Sequence, residues 1–198
     1  AGKLDQDAVR DIILWTIGGN PRSIKRLVNS VSLIQIFTET KSEEDINNAN
    51  GGDSRIEHEQ FLLFSLLCLQ IAYPQIYSLL NKESDFSSWD ESFAFQITDK
   101  IEEKDGELFD RDFQVAQQSE DCDEEWERAL FRMCYSRPRL RPRFRDVSRF
   151  LSYIKDEIFS QDEKSIGKAL SEILSQTSVT NVTTTDGGQE GPKKGKRN

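Results

Sequence analysis

Two groups of cations have a spacing that could do chemistry. The first lies in Gly18-Gly19-Asn20-Pro21-Arg22-Ser23-Ile24-Lys25-Arg26-Leu27-Val28-Asn29. Asn20 has the side chain of a helix N-cap, able to accept from the N–H of the second or third helical residue. Pro21 then falls at the first helical position, where a missing N–H costs nothing and φ is already helical. Two glycines before the cap allow a sharp turn out of a preceding helix. Arg22 is thereby placed in the first turn, where backbone N–H groups already favour anions. A cation there opposes the helix dipole, so its position favours a role beyond stability. A phosphate bound at this end would meet Arg22 directly, with Lys25 assisting from the next turn. Arg26 either joins them or anchors the helix to a neighbour, and Asn29 falls on the same side farther along.

The second group follows an abrupt change of charge. Acidic residues dominate from Asp99 to Glu127, opposed only by Lys100, Lys104 and Arg111. Directly after come Arg128, Arg132, Arg137, Arg139, Arg141, Arg143, Arg145 and Arg149. Arginines on the proline-stiffened run 137–145 could present planar guanidinium groups to phosphates or to an acidic partner. The competing reading is internal pairing with the acidic stretch just before, which would neutralise the patch at about 0–1 kcal/mol per surface pair. The second is favoured, because a net charge of −9 argues against coating of nucleic acid by the whole chain.

Other chemistry is sparse. Cys68, Cys122 and Cys134 lack metal-ligand spacing, and Cys68 stands in an apolar run where a buried thiol is expected. Three cysteines and no secretion signal fit a reducing, cytoplasmic setting. The single histidine, His58, stands between glutamates and reads as a solvated helix residue. No Ser/His/Asp set, metal cluster or acid/base pair is evident, so the chain does not read as a self-standing enzyme. The apolar run Phe61–Tyr73 is too short to cross ~30 Å of hydrocarbon.

The elements that must position these residues are helical. Apolar residues at 4, 8, 9, 12, 13 and 17 predict a first amphipathic helix. A second runs from Pro21 to about Phe37, with Ile24, Leu27, Val28, Val31 and Ile34 as its apolar face and Arg22 pointing away. Residues 38–55 are polar, end in turn formers and read as a flexible loop. A third helix, about Ile56 to Tyr73, is apolar almost all round from Phe61 to Ile71, as expected of a central helix. Pro74 kinks or ends it before a short continuation to Asn81. Asp85 to Asp90 carries Phe86 and Trp89 in a turn context, suited to plug a gap in the bundle. Further helices are predicted at about Asp90–Lys104, Glu124–Tyr135, Phe144–Phe159 and Glu163–Leu174. Residues 105–121 have no clear element, although Leu108, Phe109 and Phe113 could cover a core edge. The expectation is an all-α fold, an irregular helical bundle of about six to eight helices with a disordered tail over 175–198. That tail ends in the basic Gly-Pro-Lys-Lys-Gly-Lys-Arg-Asn.

The stretch Asn20-Pro21-Arg22 followed by Ile24-Lys25-Arg26 resembles the third-helix start of the small helical lid in AAA+-like and KAP-type P-loop ATPases. The resemblance covers roughly residues 5–37. It implies that Arg22 is the "sensor 2" residue reaching the nucleotide phosphates, and that 1–37 form a lid-like helical pair with 56–174 as a bundle extension. The chain departs from the family in one large respect. It contains no Gly-x-x-x-x-Gly-Lys-Ser/Thr loop and no apolar strand ending in Asp for magnesium. The resemblance therefore implies an upstream P-loop domain of the same polypeptide, which would bind ATP and Mg. This chain alone would need no cofactor or metal and would not hydrolyse nucleotide. The extension would dock a protein partner or set a homo-oligomeric state. The alternative is a non-enzymatic helical interaction module, contacting a partner through its apolar surface or nucleic acid through Arg137, Arg139, Arg141, Arg143 and Arg145.

Overall fold

Helix α3 (Asp53–Ala72) is the element around which the others gather, and its composition explains why. Phe61, Leu62, Leu63, Leu66, Leu67, Cys68 and Leu69 are all buried, so no side of its second half faces water. A helix apolar on every face needs neighbours all round. α1 (Gln6–Trp15), α4 (Pro74–Lys82) and α9 (Ile166–Thr185) pack against it. The computed structural model describes residues 6–32, 53–98, 103–119, 121–160 and 165–185, of which 53–57, 103–105 and 178–185 as backbone alone. The remaining helices are α2 (21–32), α5 (Glu91–Ile97), α6 (Glu103–Gln118), α7 (Glu125–Tyr135) and α8 (Phe144–Ser160). Among the described residues there are nine α-helices, two single 3-10 turns (Phe86–Ser88 and Arg141–Arg143) and no strand. The fold is the expected all-α irregular bundle, and none of these helices is long and apolar enough to cross a membrane.

Two groups of helices share the core. The first is α1, α3, α4 and α9; the second is α5, α6 and α7. α8 links them, touching α1, α7 and α9, and its buried stripe Phe144, Val147, Phe150, Leu151, Ile154 and Ile158 follows the helical period. The segment before α5 closes the gap between the groups, as its aromatics predict. Phe86 and Trp89 are fully buried, with ring centroids 6.2 Å apart, and Phe86 meets Trp126 of α7 edge-on at 5.2 Å. The Trp89 indole N–H donates to the Glu83 carbonyl at 3.1 Å, so no buried donor is left open there.

Several boundaries differ from the sequence reading. Asp90 is the cap of α5 rather than its first residue: its carboxylate accepts from the Phe93 N–H at 2.7 Å. The same helix stops at Ile97, where the Thr98 N–H and hydroxyl both turn back to the Ala94 carbonyl; residues 99–102 lie outside the described residues. A full helix, α6, occupies the stretch that had no assigned element. Dense charge hides its apolar stripe, but Phe109, Phe113 and Ala116 recur at helical spacing and bring Phe109 and Phe113 onto Phe131 of α7. Helix α3 begins before Ile56, at Asp53, and the loop expected over 38–55 otherwise lies outside the described residues. At the other end, α9 continues past Leu174 to Thr185, where the tail was expected from Ser175. Thr177 ties this extension to the bundle: it is fully buried and its hydroxyl meets the Tyr77 hydroxyl of α4. Residues 186–198 lie outside the described residues.

The start of α7 carries a testable electrostatic device. The Glu124 carboxylate accepts from the N–H of the third helical residue, Glu127 returns the bond to the Glu124 N–H at 3.0 Å, and the Trp126 indole donates to Glu124 at 2.9 Å. Lys155 of α8 pairs with the same carboxylate. The hydrogen bond from Lys155 is the largest influence and holds the Glu124 carboxyl below the usual carboxylate range; burial opposes it, and the Trp126 N–H and the Lys155 charge add to the lowering. A carboxyl whose folded-state pKa is depressed contributes stability that is complete above the ordinary glutamate value and disappears as pH falls through the depressed one. Glu124→Gln is therefore expected to be less stable than the natural protein at about pH 7, with the gap narrowing as the pH is lowered to about 3. Urea midpoints at the two pH values decide it; a gap of constant size would remove the carboxylate from the account.

Candidate functional site

The corner between α1 and α2 is built by short-range chemistry and then fixed by the bundle. α1 ends at Trp15, where the Thr16 hydroxyl donates to the Ile12 carbonyl at 2.6 Å and the Gly18 N–H to the Ile13 carbonyl at 2.8 Å. Gly18 has φ +58°, a left-handed conformation that side-chain-bearing residues rarely adopt, so the glycine is required by the turn. The cap is the expected one: the Arg22 N–H donates to Asn20 Oδ1 at 3.1 Å, and the Ile24 N–H opens the helix on the Asn20 carbonyl at 3.0 Å. From the bundle side, the Tyr73 hydroxyl donates to the Trp15 carbonyl at 3.0 Å, and the Trp15 ring lies against Tyr153 of α8 at 5.8 Å. Burial pushes the Tyr73 phenol up to about 12, so it keeps its proton for that bond across the physiological range.

Asn20, Pro21, Arg22, Lys25, Arg26 and Asn29 are all exposed. On a helix at 100° per residue, Arg22, Arg26 and Asn29 share one strip and Lys25 flanks it, so the four fall on one side. Arg26 is exposed with the others among the described residues. The segment 21–32 contains no acidic residue, which leaves this a local basic surface on an acidic chain. The apolar face is narrower than its sequence suggests. Leu27 is buried and Val31 packs at the core edge, but Ile24 and Val28 are 41% and 57% exposed, and Ile34 lies outside the described residues.

The arginine-rich run is dispersed rather than gathered. Arg145 pairs with Asp121 at 2.8 Å, which is the internal pairing expected from the sequence. Arg143 instead pairs locally with Asp146 at 3.1 Å. Arg141 lies 4.0 Å over the Tyr135 ring and donates from Nε to the Tyr135 carbonyl at 3.1 Å, closing the chain after α7. Arg137 is half-buried, its Nη1 enclosed without a hydrogen-bond partner among the described residues, whereas Arg139 and Arg149 are exposed. Structural contacts hold Arg141, Arg143 and Arg145, which leaves no continuous row of outward guanidinium groups for a phosphate backbone.

His58 corrects the expectation of a solvated residue. Its side chain is only 9% exposed, with Nδ1 3.1 Å from Oε1 of Glu157, so the ring donates across from α3 to α8. Its Nε2 is enclosed with no partner among the described residues. The flanking Glu57 and Glu59 suggest a polar face, but α8 closes over position 58. Cys68, Cys122 and Cys134 are buried and free, and burial drives each thiol up to about 12, so none is a nucleophile. No group of three or more potential metal ligands occurs among the described residues.

A cavity that the sequence did not announce lies between α5, α6 and α7. It measures about 230 Å³ and is lined by Glu91, Phe109, Phe113, Glu125, Arg128 and Arg132. Phe109 and Phe113 stack at 5.6 Å with 12° between their planes. The Arg132 guanidinium is clamped 4.4 Å over Phe95 and 4.8 Å over Phe109, and donates to Glu91 at 2.9 Å. The signal that could have revealed it is the pair Arg128/Arg132 one turn apart on α7, facing an α6 whose helical character was itself hidden.

Comparison with models of protein families, with curated proteins and with solved structures finds no match to this chain.

Proposed function

We propose that this chain is the C-terminal helical lid and regulatory module of a P-loop ATPase, with Arg22 as its phosphate-sensing residue. The observation that carries the reading is the α1–α2 corner. A left-handed glycine and a side-chain cap set the start of α2, Tyr73 ties the corner to the bundle, and Arg22 stands exposed beside Lys25. A guanidinium held outward on a fixed corner is suited to charge that spreads over transferring phosphoryl oxygens. ATP and Mg would be bound by an upstream P-loop domain of the same polypeptide, and 56–174 would be the extension that docks a partner or sets oligomeric state.

The test uses the polypeptide that joins this chain to its nucleotide-binding core. Arg22→Ala is expected to lower ATP turnover at least tenfold, about 1.4 kcal/mol of transition-state stabilisation, with the circular dichroism unchanged. Lys25→Ala is expected to have a smaller effect in the same direction. Unchanged turnover on Arg22→Ala would reduce the motif to a helix start. The second reading, a non-enzymatic interaction module, is favoured by the aromatic cavity between α5, α6 and α7. Nucleic-acid contact is the weaker form of it, because Arg141, Arg143 and Arg145 already have protein partners.

A further inference from the structure

The cavity between α5, α6 and α7 has a floor, a fixed edge and an open charge. Its floor is the stacked pair Phe109 and Phe113, the first buried and the second half-buried. Its fixed edge is Arg132, whose guanidinium is immobilised by two rings and the Glu91 carboxylate. The open charge is Arg128, one turn back on α7. It is exposed, and among the described residues its guanidinium meets no carboxylate within 4.0 Å. Glu125 also faces the cavity and is not paired with Arg128, although the two are three residues apart on one helix.

Size decides what class of occupant fits. About 230 Å³ lies below the ~300–1,000 Å³ of pockets that enclose whole drug-sized ligands. It suits one inserted side chain, the anchor-in-pocket geometry that dominates protein interfaces. A floor of stacked rings beside a guanidinium favours an aromatic anchor, through offset or edge contacts and cation–π attraction. Charge decides what flanks the anchor. Arg132 is already neutralised by Glu91. Glu125 is in the first turn of α7, where the helix N-terminus offsets part of its field; Arg128 lies beyond that turn and receives no such compensation. The four ionised groups that line the cavity, Glu91, Glu125, Arg128 and Arg132, sum to zero on a chain whose net charge is −9, and Arg128 is the cation among them that no carboxylate of the described residues neutralises.

We propose that this cavity is a docking pocket for a partner protein segment that inserts one aromatic side chain against Phe113 and places a neighbouring carboxylate on Arg128. The guanidinium fork accepts a carboxylate through two parallel N–H bonds, so it sets the register of the segment while the ring supplies the buried area. Preference for an anion at this one place runs against the field of the whole chain, which gives the proposal a distinctive signature.

The probe is N-acetyl-L-tryptophanate, which carries an indole and a carboxylate, compared with the neutral N-acetyl-L-tryptophanamide. Both are titrated into the isotope-labelled 198-residue chain and followed by amide chemical shifts. Saturable shifts are expected on α6 and α7 around Phe109, Phe113, Arg128 and Arg132, with the anion binding at least threefold tighter than the amide. Arg128→Ala, an exposed change that leaves the core intact, is expected to abolish that preference, and Glu125→Gln to enlarge it. Phe113→Ala is expected to weaken both probes at least fivefold. Shifts that do not saturate or that map elsewhere would overturn the proposal. So would an amide that binds as tightly as the anion, or a preference that survives Arg128→Ala.

Discussion

Trp126→Ala is expected to destabilise the protein by about 3–5 kcal/mol, the usual cost of deleting a large buried aromatic side chain. Trp126 is 1% exposed and does several jobs at once. Its ring meets Phe86 edge-on at 5.2 Å, which joins the segment between α4 and α5 to α7. Its N–H donates to Glu124 at 2.9 Å, the carboxylate that also caps α7 and pairs with Lys155. Truncation removes apolar area, opens a cavity at the junction of three elements and takes one donor from the cap. At ~2–4 °C per kcal/mol for a domain of this size, the thermal midpoint should fall on the order of 10 °C. Trp126→Phe keeps the ring contact and loses the donor, so it should recover more than half of the difference. Thermal or urea unfolding of the three proteins measures this, and a loss below about 1 kcal/mol for the alanine variant would mean that the site collapses around the hole.

Two glycine-to-alanine changes should act in opposite directions, although both positions are helical. A Cβ on Gly167, in the first turn of α9, would stand 2.9 Å from the Asp85 Cβ and 3.4 Å from its backbone nitrogen. Neither atom is the free end of a side chain, so the approach is relieved only by moving the backbone of 83–85 or of α9. The same contact brings the Ser84 hydroxyl to the Gly167 carbonyl at 2.9 Å. Forcing an extra methyl into a packed contact costs roughly 1–3 kcal/mol, which outweighs a gain of up to ~1 kcal/mol in helix propensity. Gly167→Ala is expected to destabilise. Gly106 in α6 has nothing within 4 Å of the equivalent position, so the propensity gain stands alone and Gly106→Ala should stabilise by about 0.4–1 kcal/mol. Urea midpoints of the two variants having the same sign would sink the argument.

Much of the fold was legible because helical periodicity is local. The stripes in α1, α4, α7 and α8 and the all-round apolar run in α3 each predict both the helix and the face it buries. The Asn20 cap, the Gly18 turn and the buried state of Phe86 and Trp89 were equally readable, since capping residues and large aromatics have few other uses. Charge hid the rest. Around Phe109 and Phe113 the density of Asp and Glu masks a two-residue apolar seam, and the polar sequence after Ser175 conceals a helix whose backbone bonds do not depend on apolar side chains.

Of the candidate sites, the type and spacing of Arg22, Lys25, Arg26 and Asn29 were set by the sequence alone, because residues at i, i+3, i+4 and i+7 share a side of a helix whatever surrounds it. Tertiary structure decided everything that involves residues far apart in the chain. It paired Arg145 with Asp121 and enclosed His58 against Glu157, whereas Arg141 and Arg143 found partners within six residues. It anchored the corner of Arg22 through Tyr73 and drew Glu91, Phe113 and Arg128 around one cavity. The physical reason is range. Caps and turns are satisfied by atoms a few residues apart, so their residues announce them. The fate of a charge or a ring on a helix surface depends on which other helix covers it, and that is fixed by the packing of the whole core.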